Sequence, residues 1–370
     1  MKKILLRNLQ YYYTISFSFF FIFNFIDRQL ANMFLLATLF LCLIDFKKLY
    51  ELMKADSKLV IMISLFSVYI TFIGLYHDSP AGELDNYYRF LVLLPILLIS
   101  VSESRLIVLI FLSALAGLTH LIYEYFFQTM NLLRYGGSSN SAMTFGSMNA
   151  TLLMVCLYFI LYRGKKSYIL FFSVITFIIL LLLSGTRGPI IGILLGLLYL
   201  LYALNKKDKV LKISVYVKLI IIFFSVSLLT ISIPNPLADR ISKINMENLL
   251  NPLHSHDYSL RERAYYTIYG LEVIEENYLI GIGPDNLEAG MSEYLKSNKI
   301  PRIRYSSDHL HNDFLDITLK FGLPALILLL FIYLNLIKNN NINNRVLLIL
   351  LMIMLSTSQL TQSHFAHHQA

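Results

Sequence analysis

Charge is scarce in this chain. Asp, Glu, Lys and Arg make up 15% of its 370 residues, where a soluble domain carries roughly 25%. Tryptophan is absent and cysteine occurs twice. Two cysteines exclude a disulfide framework and any metal site built on four thiolates. Cys42 and Cys156 both fall inside apolar runs and read as small packing residues. There is no helical H-E-x-x-H pattern and no internal repeat. The apolar runs are long and do not alternate with polar residues, which excludes a membrane β-barrel.

Apolar residues fill the space that charge leaves. They make up 56% of the chain, with a mean hydropathy of +0.62. Runs such as "YILFFSVITFIILLLLSG" and "LIIIFFSVSLLTISI" approach the 20 or so residues that a helix needs to span a bilayer. The fold class is therefore all-α, a polytopic membrane bundle of about 11–12 helices. The expected spans lie near 10–27, 30–46, 59–76, 90–102, 106–126, 147–162, 168–184, 189–204, 213–233, 323–337 and 346–360. The basic start "MKKILLRNLQ" leads into an aromatic run with no small-residue cleavage site, so the first span is expected to stay uncleaved.

Lys and Arg orient these spans. With a cytoplasmic N-terminus, the inward segments hold Lys2, Lys3, Arg7, Lys47, Lys48, Lys54, Lys58, Arg105, Arg163, Lys165, Lys166, Lys206, Lys207, Lys209, Lys212, Lys338 and Arg345. The short outward connections hold only Arg28, Arg89, Arg134 and Arg187. This positive-inside asymmetry alternates without a break. The net charge of +8 thus sits in short membrane loops rather than in a nucleic-acid-binding patch. The expected organisation is transmembrane helices over 1–233, a large outward loop over 234–322, and C-terminal transmembrane helices over 323–370. That loop carries nine Lys and Arg against thirteen Asp and Glu, so its arginines are not part of a basic coat. Within it, Ala264, Ile268, Leu271 and Ile274 recur at helical spacing, and Gly281, Gly283, Pro284 and Asp285 form a turn.

Three stretches carry groups suited to chemistry. In "LLLSGTRGPIIGILLG" (181–196), Arg187 ends a span with glycines around it, which let a ligand approach closely. Arginine's planar fork grips phosphate, although an interfacial arginine meeting lipid phosphate fits as well. In "SLRERAYYTIYG", Arg261 and Arg263 stand where a helix begins, a place that favours anions. In "SSDHLHNDFLDITLKFG" (306–322) two histidines, three aspartates and an asparagine precede a span. His254 and His256, like His309 and His311, form His-x-His pairs that with Asp257, Asp308 and Asp313 admit a zinc site. The same histidines also read as surface residues beside a membrane, or as a general base with a pKa near neutrality.

Taken together, "SGTRG" closing one span, "HND" before a later one, and "R…YYTIYGLEVIEENYLIGIGPDN" between them resemble the O-antigen ligase and polymerase superfamily over roughly 180–335. The sequence departs from that family in three respects, the first being eleven expected helices where twelve are usual. Tyr278, Leu279 and Ile280 stand where a proline usually precedes Gly-x-Gly, and the tryptophan frequent in the loop helix is missing. The resemblance implies a glycosyltransferase, most similar to O-antigen ligase, in the bacterial inner membrane with its site facing the periplasm. The donor it implies is a glycan on undecaprenyl diphosphate, and the acceptor is a sugar hydroxyl of lipid A core. It implies Arg187 and Arg263 as diphosphate-holding groups and His311 as the base, with His309, Asn312, Arg261 and Arg89 as substrate-binding neighbours. No cofactor, metal or nucleic acid is implied, and membrane lipids are the surroundings. The alternatives are a polymerase joining repeat units on the same carrier, a transferase to protein Ser or Thr, and a transporter for lipid-linked sugars.

Overall fold

The computed structural model describes residues 2–93, 102–127, 135–136, 141–208, 251–254, 258–298, 309–338 and 342–361. Among the described residues every regular element is helical. They are α1 (Lys2–Phe23), α2 (Arg28–Ile44), α3 (Phe46–Ala55), α4 (Ser57–Tyr76), α5 (Ala81–Leu93), α6 (Glu103–Phe127), α7 (Ala142–Leu157), α8 (Tyr168–Ser184) and α9 (Gly188–Asp208). A 3-10 turn (Pro252–His254) leads to α10 (Tyr258–Asn277), α11 (Asn286–Ser297), α12 (Asp313–Phe321), α13 (Leu323–Lys338) and α14 (Ile342–Gln359). Ser57–Tyr76, Glu103–Phe126, Ala142–Tyr162 and Gly188–Lys206 are long and apolar enough to cross a membrane. Shorter apolar helices occupy Tyr11–Phe23, Arg28–Ile44, Tyr168–Ser184, Leu323–Lys338 and Arg345–Gln359. The molecule is an all-α polytopic membrane bundle. The expected span at 213–233 lies outside the described residues, as does most of 90–102.

The described helices sort into two compact units: α1, α2, α6–α9 and α14 in one, α4, α5 and α10–α13 in the other. The division follows packing and so cuts across the sequence blocks 1–233, 234–322 and 323–370. In the first unit α7 is the central element. It is buried on nearly every side from Phe145 to Leu157, and α8 and α9 pack against it. A helix apolar all round belongs in a core. It runs on into a π-turn (Tyr158–Tyr162), where the Arg163 N–H reaches back to the Tyr158 carbonyl at 3.1 Å.

Membrane helices lack a hydrophobic drive toward one another, so small residues at close contacts decide their packing. Helix α2 buries Ala31, Thr38 and Cys42 while Met33, Leu36, Phe40 and Leu43 stay exposed, as suits a face against lipid. On α9, Gly192 and Gly196 make a Gly-x-x-x-Gly face. A methyl at Gly196 would stand 2.9 Å from Met154 Cε of α7, and one at Gly192 would meet Thr357 and Met354 of α14. Both cysteines are buried, and neither is in a disulfide.

In the second unit α4 packs against α5 and α13, and α12 packs against α13 and α10. The last turn of α12 is completed by a different segment. Ile282 N–H donates to the Leu319 carbonyl at 2.9 Å, Gly283 N–H to the Lys320 carbonyl at 3.0 Å, and Leu323 N–H to the Tyr278 carbonyl at 2.7 Å. These bonds satisfy carbonyls that a helix end leaves without an intrahelical partner. They also explain the glycines. Gly281, Gly283 and Gly322 all have positive φ, at 73°, 82° and 80°. A methyl on Gly281 would stand 2.6 Å from the Leu319 and Lys320 carbonyl oxygens, and one on Gly322 would collide with the Leu279 carbonyl. The Tyr69 hydroxyl of α4 adds a hydrogen bond to that Leu279 carbonyl at 2.9 Å.

The loop helix forms where the spacing placed it, and the structure adds which of its residues are buried. Tyr266, Tyr269 and Gly270 are buried, whereas Leu271 is 53% exposed. Large tyrosine rings fill the cluster with Leu287, Met291, Leu295, Leu310 and Leu319, and Ile274 packs only at its edge. Replacing Gly322 with alanine is expected to destabilise the protein by about 1–3 kcal/mol, from positive-φ strain and the clash. Gly82→Ala, which meets nothing within 4 Å, is the control. Thermal unfolding midpoints in detergent check this, and equal midpoints for the two variants would show that the turn is not under steric constraint.

Candidate active site

The segment His309–Leu310–His311–Asn312 is fixed from several directions. Leu310 is 1% exposed, and its side chain fits a notch over Gly270, where a methyl would stand 2.6 Å from Leu310 Cδ1. The Leu310 N–H donates to Asp316 Oδ1 at 2.8 Å. Asn312 is the N-cap of α12, its Oδ1 accepting from Phe314 N–H at 3.0 Å and Leu315 N–H at 3.2 Å. That use of the Asn312 oxygen leaves its amide nitrogen as the end that can serve a substrate.

His311 lies between these anchors with φ +57°, a left-handed conformation that costs a non-glycine residue on the order of 1–3 kcal/mol. Its ring lies parallel to Tyr266, with centroids 6.1 Å apart and an interplanar angle of 9°. On its other flank His311 Nδ1 is 3.1 Å from His309 Nε2, the two rings crossing at 80°. His309 is buried and His311 half-buried. The structure thus brings the sequence-predicted His309, His311 and Asn312 into one cluster.

Helix α10 supplies the wall of this cluster. The Tyr266 hydroxyl donates to Glu262 Oε1 at 3.2 Å, which fixes the ring that faces His311. Arg263 stands three residues before Tyr266, so the two are neighbours on one helix face. Arg261 lies one turn from the helix start, and its Nε is buried without a hydrogen bond. Both arginines are half-buried. Burial, and after it the Glu293 carboxylate, pushes the Tyr269 phenol upward, so it stays neutral.

Arg187 belongs to the other unit. Helix α8 ends at Gly185, which is left-handed at φ 63°, and α9 begins at Gly188. Arg187 is half-buried in the turn between them. The turn is built on a polar lock, with the buried hydroxyls of Ser184 and Thr186 2.9 Å apart. Gly146 of α7 lies against it so closely that a methyl there would collide with Thr186 Oγ1 and stand 2.8 Å from Ser184 Oγ. Arg89 is on α5. His256, Asp257 and Asp308 of the zinc pattern lie outside the described residues. Among the described residues, three His, Cys, Asp or Glu side chains nowhere converge as a metal site.

Sequence reasoning passed over Tyr266 and Gly146, and it counted Asp316 only as one of the three aspartates in 306–322. The spacing of Tyr266 and Tyr269 is a usable helical signal. Nothing in the sequence marks Gly146, whose role depends on a turn 40 residues away in the chain.

Residues 172–330 match the sequence profile of the family described as O-antigen ligase. The match spans the Arg187 turn, α10 and the His311 segment together, and it supports the superfamily to which the motifs point. A protein of Haemophilus influenzae described as uncharacterized is 25% identical to this chain, in an alignment that covers 81% of this chain and 78% of that relative.

Gly146→Ala is expected to lose about 1–3 kcal/mol of stability through overpacking against Thr186. Adding Thr186→Ala is expected to recover part of that loss, because the colliding hydroxyl is gone. A double-mutant cycle on unfolding midpoints measures the coupling, and strict additivity would show that α7 does not press on the Arg187 turn.

Proposed function

We propose that this chain, with its O-antigen ligase match over 172–330, transfers O-antigen polysaccharide from undecaprenyl diphosphate to a sugar hydroxyl of lipid A core. The reaction takes place on the periplasmic side of the inner membrane. The observation that carries this reading is the histidine held in a left-handed turn, its ring parallel to that of Tyr266, which stands three residues after Arg263 on α10. That amount of local constraint on one imidazole suits a base that must meet a substrate oxygen in one orientation.

A sugar hydroxyl is a poor nucleophile, whereas a diphosphate is already a good leaving group. The first therefore needs a base and the second needs charge stabilisation. With His311 Nδ1–H donating to His309 Nε2, the lone pair of His311 Nε2 takes the acceptor proton. The acceptor oxygen attacks the anomeric carbon as the bond from that carbon to the diphosphate oxygen breaks, and the centre inverts. The electron pair leaves on undecaprenyl diphosphate, where arginine balances the charge through bidentate contacts, the role that the sequence resemblance implies for Arg263 and for Arg187. Arg261, Asn312, His309 and Arg89 hold the two substrates. The activated donor bond drives the transfer, so this reaction uses neither nucleotide nor metal.

Two measurements test the reading. In a deletion strain, wild-type protein is expected to restore long chains on lipid A core. His311→Ala is expected to fail through a loss of roughly 10²–10⁴ in rate, and Arg187→Lys to do nearly as badly as Arg187→Ala, because lysine lacks the planar fork. His309→Ala is expected to be milder, and purified protein to work in EDTA. A deletion strain whose core still bears a single repeat unit would make the protein a polymerase. Loss of transfer in EDTA with recovery on zinc would make the histidines ligands.

The second measurement concerns sidedness. Cysteines placed at Ser255 and Ser292 are expected to react with an impermeant thiol reagent in intact spheroplasts. Labelling that appears only after lysis would put the loop in the cytoplasm and remove the mechanism.

A further inference from the structure

Acting as a base does not by itself require His311 to adopt a strained backbone. Left-handed φ at a histidine persists only where the surroundings over-determine it. Two contacts do so here, and both act on Leu310. Its side chain is seated over Gly270 of α10, and its N–H is held by Asp316. In the order His-Leu-His, seating the middle side chain downward turns the two flanking rings to the other side. They meet there, Nε2 to Nδ1, at 3.1 Å.

Asp316 is an odd residue to find at this place unless it has such a task. It is 0% exposed, on a helix whose neighbours Ile317, Leu319 and Phe321 are buried apolar residues. A buried carboxylate is costly unless hydrogen bonds compensate it. Its position in the first turn of α12, where the helix dipole favours an anion, lowers that cost. Its Oδ1 reaches back six residues to the backbone between the two histidines.

Resting on the functional reading above, we infer that Asp316 is a positioning residue for the His309–His311 pair. Its carboxylate clasps the backbone between the two rings, so that His311 faces substrate in the orientation set by Tyr266 and His309. The contribution lies in the oxygen acceptor rather than in the charge. Asp316 touches no substrate and acts through Leu310.

The test uses full-length protein in detergent, with undecaprenyl-diphosphate-linked O-antigen as donor and lipid A core as acceptor. Asp316→Asn keeps an oxygen for the Leu310 N–H and is expected to hold kcat within about threefold of wild type. Asp316→Leu, similar in size but with no acceptor, is expected to lose kcat by roughly tenfold or more with KM unchanged, the signature of a misplaced catalytic group. A leucine variant with wild-type kcat overturns the inference, and so does an asparagine variant as slow as the leucine one. Should Asp316→Leu fail to fold, Gly270→Ala displaces Leu310 without altering the carboxylate and carries the same expectation for kcat.

Diethyl pyrocarbonate labelling of His311, read by mass spectrometry, follows the clasp without any transfer assay. Labelling is expected to quicken in Asp316→Leu and in Gly270→Ala, and to stay at the wild-type rate in Asp316→Asn. Equal labelling in all variants overturns the clasp. Wild-type protein that transfers no glycan overturns the functional reading instead, and the labelling result still decides the clasp.

Discussion

The second unit depends on one exchange of backbone hydrogen bonds, in which the turn after α10 closes the end of α12. Ile282 and Gly283 donate to Leu319 and Lys320, and Leu323 donates to Tyr278. A nine-residue helix is too short to stand on its own hydrogen bonds. Here both of its ends are completed, by Asn312 at the start and by this turn at the finish. Because α10 carries Arg263 and Tyr266 while α12 follows directly on His311, the exchange also sets the register of the proposed arginine against the proposed base. The glycines follow from it, since side chains at 281 and 322 would occupy the space of the facing carbonyls.

A different principle governs the first unit. Its helices approach through small residues, with Ala31 and Cys42 on α2, Gly146 on α7, and Gly192 and Gly196 on α9. Close approach gives dispersion contacts that lipid cannot supply equally well. The same close approach presses α7 onto the turn that presents Arg187, so packing and presentation of the arginine are not separable. A conserved-volume exchange elsewhere on α7 leaves that turn alone, whereas any side chain at position 146 intrudes on it.

The polar content of α12 is high for a buried helix. Asp313, Asp316 and Lys320 are at most 3% exposed. Hydrogen bonding to the Leu310 N–H accounts for Asp316. An imidazole proposed as a base needs a rigid support beneath it. A short helix with fixed ends and an internal polar anchor provides one without a large soluble domain.

The sequence alone determined the all-α membrane class, because a chain this poor in charge and this rich in long apolar runs has to satisfy its backbone within helices. It also placed apolar helices at nine of the eleven expected spans, four of them long and apolar enough to cross a membrane, and it placed the loop helix, the Gly-x-Gly turn and the His-Asn segment, since each is marked by local spacing. It gave the helical spacing of α10 through Ala264, Ile268, Leu271 and Ile274 but not that Tyr266 and Tyr269 fill the cluster beneath it. Only the tertiary structure decided that Asn312 caps a helix, that Asp316 holds Leu310, that His309 meets His311, and that Gly146 bears on the Arg187 turn. The Gly146 contact joins residues 40 apart and is set by how helices pack, whereas the other three lie within six residues of chain and depend on the backbone conformation around His311, which the seating of Leu310 over Gly270 holds. Short-range patterns fix which elements form, but non-local packing fixes which side chains meet.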